Sequence, residues 1–106
     1  MTETIRIPLP QGEILAQLAE ECMELAHAAL KLRRAVEKRN PTPIGTGDAA
    51  NMLEEEYADV LLCVEQLHEH FRPNEQTVNI IKATKLKRWM DRLQEARDHE
   101  QMAAGV

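Results

Sequence analysis

Apolar residues recur along this chain in steps of three and four, the spacing that lines one face of an α-helix. Leu15, Leu18, Cys22, Leu25, Ala29, Leu32 and Val36 form a first series, which predicts a helix from about Gln11–Glu13 to Lys38. Asn40-Pro41-Thr42-Pro43 stops it, because proline lacks a backbone donor and holds the preceding residue extended. Gly45-Thr46-Gly47 prolongs the break, so residues 40–47 read as a loop. Asp48 can cap a second helix, in which Leu53, Tyr57, Val60, Val64, Leu67 and Phe71 keep the stepping and Leu61 widens the stripe. Pro73 closes that helix, and Asn74 can cap a third from about Glu75 to Glu100. Asn79, Ala83, Leu86, Met90 and Leu93 mark one side of the third helix.

Residues 1–10, punctuated by Pro8 and Pro10, read as an extended arm, and no segment alternates as a strand would. The expected fold is therefore all-α: a single domain over residues 1–106, a bundle of three long helices completed by self-association. With 43% hydrophobic but only 3% aromatic residues, its core should be Leu, Ala, Val and Met. A net charge of −5 argues against a nucleic-acid polymer or an anionic membrane as partner. No run approaches membrane-spanning length, and the first twelve residues lack a basic-then-apolar layout. The expectation is a soluble cytoplasmic protein, with Cys22 and Cys63 as buried thiols rather than a disulfide.

Against this pattern two carboxylate pairs stand out, Glu21-x-x-Glu24 and Glu56-x-x-Asp59. With Val60 as the centre of its stripe, Glu56 falls roughly 40° and Asp59 roughly 100° to one side. With Leu18 as centre, Glu21 and Glu24 fall roughly 60° and 120° to the same hand. Antiparallel packing would bring all four to one side of the seam. Four carboxylates there repel one another and lose hydration, which a divalent cation among them offsets. Oxygen-only ligands suit Mg²⁺, or Mn²⁺, better than zinc. The register poses a difficulty. A flush hairpin pairs residues near 22 with residues near 64, about 10 Å from 57 at the helical rise. Either the loop runs back along an overhanging first helix, or a second subunit supplies part of the packing.

The third helix carries opposite charge near its own stripe. Lys82 and Lys85 lie roughly 40° and 100° from Leu86, with Trp89 between them and Arg92 beyond. Two roles are open to these lysines: a salt bridge to the carboxylates, or a strip receiving phosphates that a metal also grips. Trp89 is either a substrate contact beside them or a core residue.

The stretches LAEECMELAHAALKLRR and LEEEYADVLLCVEQL resemble the MazG-type, all-α nucleoside triphosphate pyrophosphohydrolases. The family signature, E-E-x-x-E followed by E-x-x-D, reads here Glu20-Glu21-Cys22-Met23-Glu24 and Glu56-Tyr57-Ala58-Asp59. The resemblance spans about residues 11–70. It implies Glu21, Glu24, Glu56 and Asp59 as Mg²⁺ ligands, with Glu20 a nearby acid of the catalytic group. It also implies hydrolysis of a nucleoside triphosphate between its α and β phosphates, and assembly as a homodimer or homotetramer. The chain departs from the family in its long Pro/Gly-bearing spacer and in lacking an asparagine among Lys82, Lys85 and Arg88.

Two rival readings differ in class. Glu24-x-x-His27 and Glu65-x-x-His68 each match the element used by di-iron bundles. Phase opposes it, since Glu65 lies about 180° from Glu56 and His27 about 180° from Leu18. The other rival is a non-catalytic dimerisation or adaptor domain whose acids are merely solvated.

Overall fold

A computed structural model describes residues 5–38 and 44–105. It contains three α-helices, α1 (Gln11–Glu37), α2 (Thr46–Gln66) and α3 (Glu75–Ala104), and no strand among the described residues. The chain is all-α, as its periodicity predicts. No helix is long and apolar enough to cross a membrane among the described residues. Residues 1–72 and 73–106 form two compact units.

The first unit is an antiparallel hairpin of α1 and α2, and its seam settles the register. Gln11 donates from Nε2 to the carbonyl of Gln66. Glu21 and Asp59 line one cavity, and Glu24 and Ala28 share another with Met52 and Glu56. The pairing therefore closes within one chain, and α1 overhangs the start of α2, as the first of the two register alternatives required.

The phase of α1 differs from the expected stripe by one residue. Ile14, Ala28 and Ala35 are buried, with Leu18, Glu21, Leu25 and Leu32 half-buried between them. Leu15, Cys22, Ala29 and Val36 face outward instead, Val36 at 59% exposure. On α2 the seam runs through Ala49, Glu56, Val60 and Cys63 and continues to Leu67 just past its end, whereas Tyr57 is 56% exposed. Alanine explains the choice, because small residues let two helices approach closely while longer apolar side chains hold them apart. The hairpin thus has a thin core and a second apolar face left uncovered. Cys63 is buried as expected, Cys22 is exposed, and both are free thiols.

Three boundaries depart from the sequence reading. α2 starts at Thr46 behind Gly45, so Thr46 and Gly47 belong to the helix. Asp48 sits in its first turn, where a negative charge meets the positive helix end, and is not the cap. α2 also stops at Gln66, not near Phe71, because Leu67 turns to an extended conformation (φ −78°, ψ 129°). Asn74 caps α3 as expected, its Oδ1 accepting from the Thr77 N–H at 3.0 Å. That helix runs on to Ala104, beyond Glu100, and has no buried residue. Of the expected loop, residues 40–43 lie outside the described residues, as does residue 39 before them.

The early stop of α2 has a cause at the start of α1. Gln11 Oε1 accepts from the N–H of His68 at 3.0 Å and of Glu69 at 3.4 Å, drawing the chain away from the helical path. Gln66 reads the arm's backbone twice: Oε1 accepts from Ile7 N–H and Nε2 donates to the Ile5 carbonyl, both at 2.8 Å. Arg6 adds a bond to the Glu65 carbonyl at 2.6 Å. Among the described residues, Gln11 and Gln66 are the buried polar ones, and both are satisfied by these bonds.

Removing a buried amide strands the backbone groups it served, at a cost of about 1–3 kcal/mol. Gln11→Ala should therefore lower the stability of the first unit by about that amount in urea unfolding. Amide exchange should quicken first at His68. Unchanged exchange there would show that Gln11 does not shape this corner.

Candidate metal centre

Glu21 and Glu56 occupy the middle of the seam rather than its flank. Measured against Ile14, Ala28 and Ala35, Glu21 is within about 20° of the inward direction, and Glu24 stands roughly 45° to its other side. The same holds on α2, with Glu56 central and Asp59 at the edge. Both glutamates are half-buried, while Glu24 and Asp59 are exposed. Each pair thus contributes one inward and one edge carboxylate.

The three side chains of Glu21, Glu24 and Glu56 converge, each offering an oxygen within 4.8 Å of the others. Asp59 does not join that group; it borders the neighbouring cavity with Glu21 and adds to the negative field on Glu56. Glu20 is exposed and outside the cluster. Gln17 fixes Glu21 from one turn earlier, donating from Nε2 to Oε1 at 2.8 Å. The other oxygen, Glu21 Oε2, is buried with no hydrogen-bond partner, and so is Glu56 Oε2.

Two buried carboxylate oxygens with no donor are costly, because they have lost water and gained nothing in return. The Glu56 carboxyl accordingly titrates above the ordinary glutamate range. Loss of hydration is the largest cause, followed by Glu24 and then by Asp59 and Glu21. The Cys63 thiol is pushed up too, by burial first and then by Glu21 and Asp59, so it stays protonated and inert.

These observations test the fit of a divalent cation. Oxygens bound about 2.1 Å from one Mg²⁺ lie no more than about 4.2 Å apart, so a set within 4.8 Å needs only a small side-chain adjustment. The unpartnered oxygens are the groups such an ion would satisfy. Glu21, Glu24 and Glu56 fit Mg²⁺ or Mn²⁺ as an all-oxygen set, with Asp59 at the margin.

The remaining predicted residues fall as follows. Lys82, Lys85 and Trp89 share one face of α3 with Leu86, around a shallow cavity of about 420 Å³. All four are exposed, so Trp89 is not a core residue of its unit. Among the described residues the di-iron pattern does not assemble. Glu65 is exposed with its carbonyl bonded to Arg6, and His68 bonds to Gln11 through its backbone. Sequence reasoning missed Lys31. It lines a cavity of about 170 Å³ with Glu24, Glu56 and His27, and no ion pair involves it among the described residues. Its spacing of seven from Glu24, two helical turns, was the available signal.

A group whose folded pKa is raised favours folding below its unfolded value and loses that contribution as pH rises through the folded one. For Glu56 the loss begins above the ordinary glutamate value of 4.5 and is complete once the folded carboxyl ionises. At neutral pH Glu56→Gln should therefore raise the melting temperature of the metal-free protein and flatten this part of its pH profile. A lowered melting temperature would show that the carboxylate has a partner after all. Comparison of the chain with protein-family models, with curated proteins and with solved structures finds no match, so the cluster's role rests on its own chemistry.

Proposed function

We propose that the protein hydrolyses nucleoside triphosphates, deoxy or ribo, to the monophosphate and pyrophosphate with the help of Mg²⁺ or Mn²⁺. The observation that carries this reading is the convergence of Glu21, Glu24 and Glu56, two of them with a buried, unpartnered oxygen. The substrate class comes from the resemblance of Glu20-Glu21-Cys22-Met23-Glu24 and Glu56-Tyr57-Ala58-Asp59 to the MazG-type signature.

In this reading Glu21, Glu24 and Glu56 hold the cation, with Asp59 beside them. When bound, the ion supplies neutralisation of phosphate charge and a more acidic water. The chain's own residues do the rest. Gln17 keeps one oxygen of Glu21 occupied, so its other oxygen faces the site in a fixed orientation. A carboxylate of the group accepts the proton of the attacking water. Lys82 and Lys85, beside Trp89, form a separate basic face on α3 that can take a phosphate of its own.

Self-association belongs to the same proposal. Leu15, Met23, Leu30 and Val36 on α1, with Tyr57 and Leu61 on α2, are exposed large apolar side chains. A second copy of the hairpin would cover them, giving a homodimer or homotetramer.

Incubated with a panel of nucleoside triphosphates and Mg²⁺, the purified protein should release pyrophosphate from at least one of them. Glu56→Ala should lower that rate by roughly 100-fold or more. Undiminished turnover in the variant, or none of any nucleotide by the unaltered chain, would remove the mechanism. Sedimentation should show a dimer or larger species, and a monomer at micromolar concentration would remove the assembly.

A further inference from the structure

The acidic cluster lies between two cavities of unlike chemistry. On the side toward the arm, Ile7, Leu9, Ile14, Leu62 and Cys63 surround a space of about 210 Å³ that reaches Glu21 and Asp59. That is below the volume of a drug-sized site and suits a single ring system. On the other side, Lys31 and His27 border the space of about 170 Å³ shared with Glu24 and Glu56. A helical side chain leans toward its own N-terminus, so the Lys31 ammonium reaches back toward the cluster. The seam therefore runs from an apolar end, through carboxylates, to a cationic end.

The apolar end is built, not incidental. Ile7 and Leu9 have no helix to hold them. Their place over the cavity depends on the Gln66 amide, which bonds the backbone on both sides of Arg6, and on Gln11, which ties the helix start to the Gln66 carbonyl. Two buried glutamines are committed to holding a wall across a space that side chains leave unfilled.

We propose a direction for the substrate along this seam: the base lies under the arm among Ile7, Leu9, Ile14 and Leu62, and the phosphates lie over the cluster toward Lys31 and His27. This rests on the hydrolysis reading for the identity of the ligand. It adds the arm as the element that selects the base and Lys31 as a cation for the distal phosphates. An uncharged flat ring gains from leaving water at the apolar end, whereas a phosphate there would lose hydration against Ile7, Leu9, Ile14 and Leu62, with no basic side chain lining the space to receive it. At the other end the balance reverses, since Lys31 offers three donors and a full charge.

Methyl groups report on each end separately. In methyl-labelled protein with Mg²⁺, a nucleoside should shift Ile7, Leu9, Ile14 and Leu62 and leave Met52 unmoved, because Met52 lines only the cationic cavity. Pyrophosphate should do the opposite, and an α,β-methylene nucleoside triphosphate should shift both sets. Leu62→Trp, at a half-exposed position, should raise KM about tenfold and flatten the ranking of bases. The same variant should leave Mn²⁺ affinity unchanged. Lys31→Met should weaken inhibition by pyrophosphate about tenfold and keep the ranking. Pyrophosphate shifts at the arm, or no arm shifts with a nucleotide that binds, would overturn the direction, as would failure of every nucleoside and nucleotide to bind. Binding in this direction without hydrolysis would overturn the reaction and keep the direction. Hydrolysis with silent arm methyls would do the reverse.

Discussion

Two carboxylates facing each other across a seam of alanines set the terms for this fold. Glu21 and Glu56 take positions that the helical repeat assigns to buried side chains, and no donor meets their inward oxygens. A helix pair of this size has little stability to spare. Its buried apolar residues are Ile14, Ala28, Ala35, Ala49, Cys63 and Leu67, four of them small. On the proposed reading, a cation offsets the repulsion and lost hydration that these acids bring to so slight a core. The narrowness of the seam and the acidity of its centre are linked: alanine brings the helices close, and closeness brings the carboxylates together.

The glutamine pair solves a different problem. Residues 5–10 lie against this end of the hairpin without secondary structure of their own. Backbone groups of an extended segment need partners when they lie against a protein surface. Gln66 supplies both a donor and an acceptor to them, and Gln11 in turn ends α2. The same few bonds fix the helix boundary, the arm and one wall of a cavity beside the acids.

Much of this was legible in the residues. Period-three-and-four spacing located all three helices, Asn74 declared itself as a cap, and the matched handedness of Glu21-x-x-Glu24 and Glu56-x-x-Asp59 pointed to one side of a seam. The phase of α1 was misread because Leu15, Cys22 and Val36 are the more hydrophobic series, while packing chose the smaller Ala28 and Ala35. Hydrophobicity ranks what prefers to leave water; close approach of helices depends on size. Gln11 and Gln66 carry no periodic signal, since a buried glutamine is recognisable only by the backbone it bonds. His27 lay far from the assumed stripe centre, and correcting the phase brings it to the cluster's edge with Lys31.

The central claim is that Glu21, Glu24 and Glu56 form a divalent-cation site. Electron paramagnetic resonance during titration with Mn²⁺ tests it directly, because bound and free ions give distinct signals. The account predicts stoichiometric binding that Mg²⁺ displaces and that disappears when the three glutamates become glutamines. Equal Mn²⁺ uptake by the unaltered chain and by that variant would contradict it.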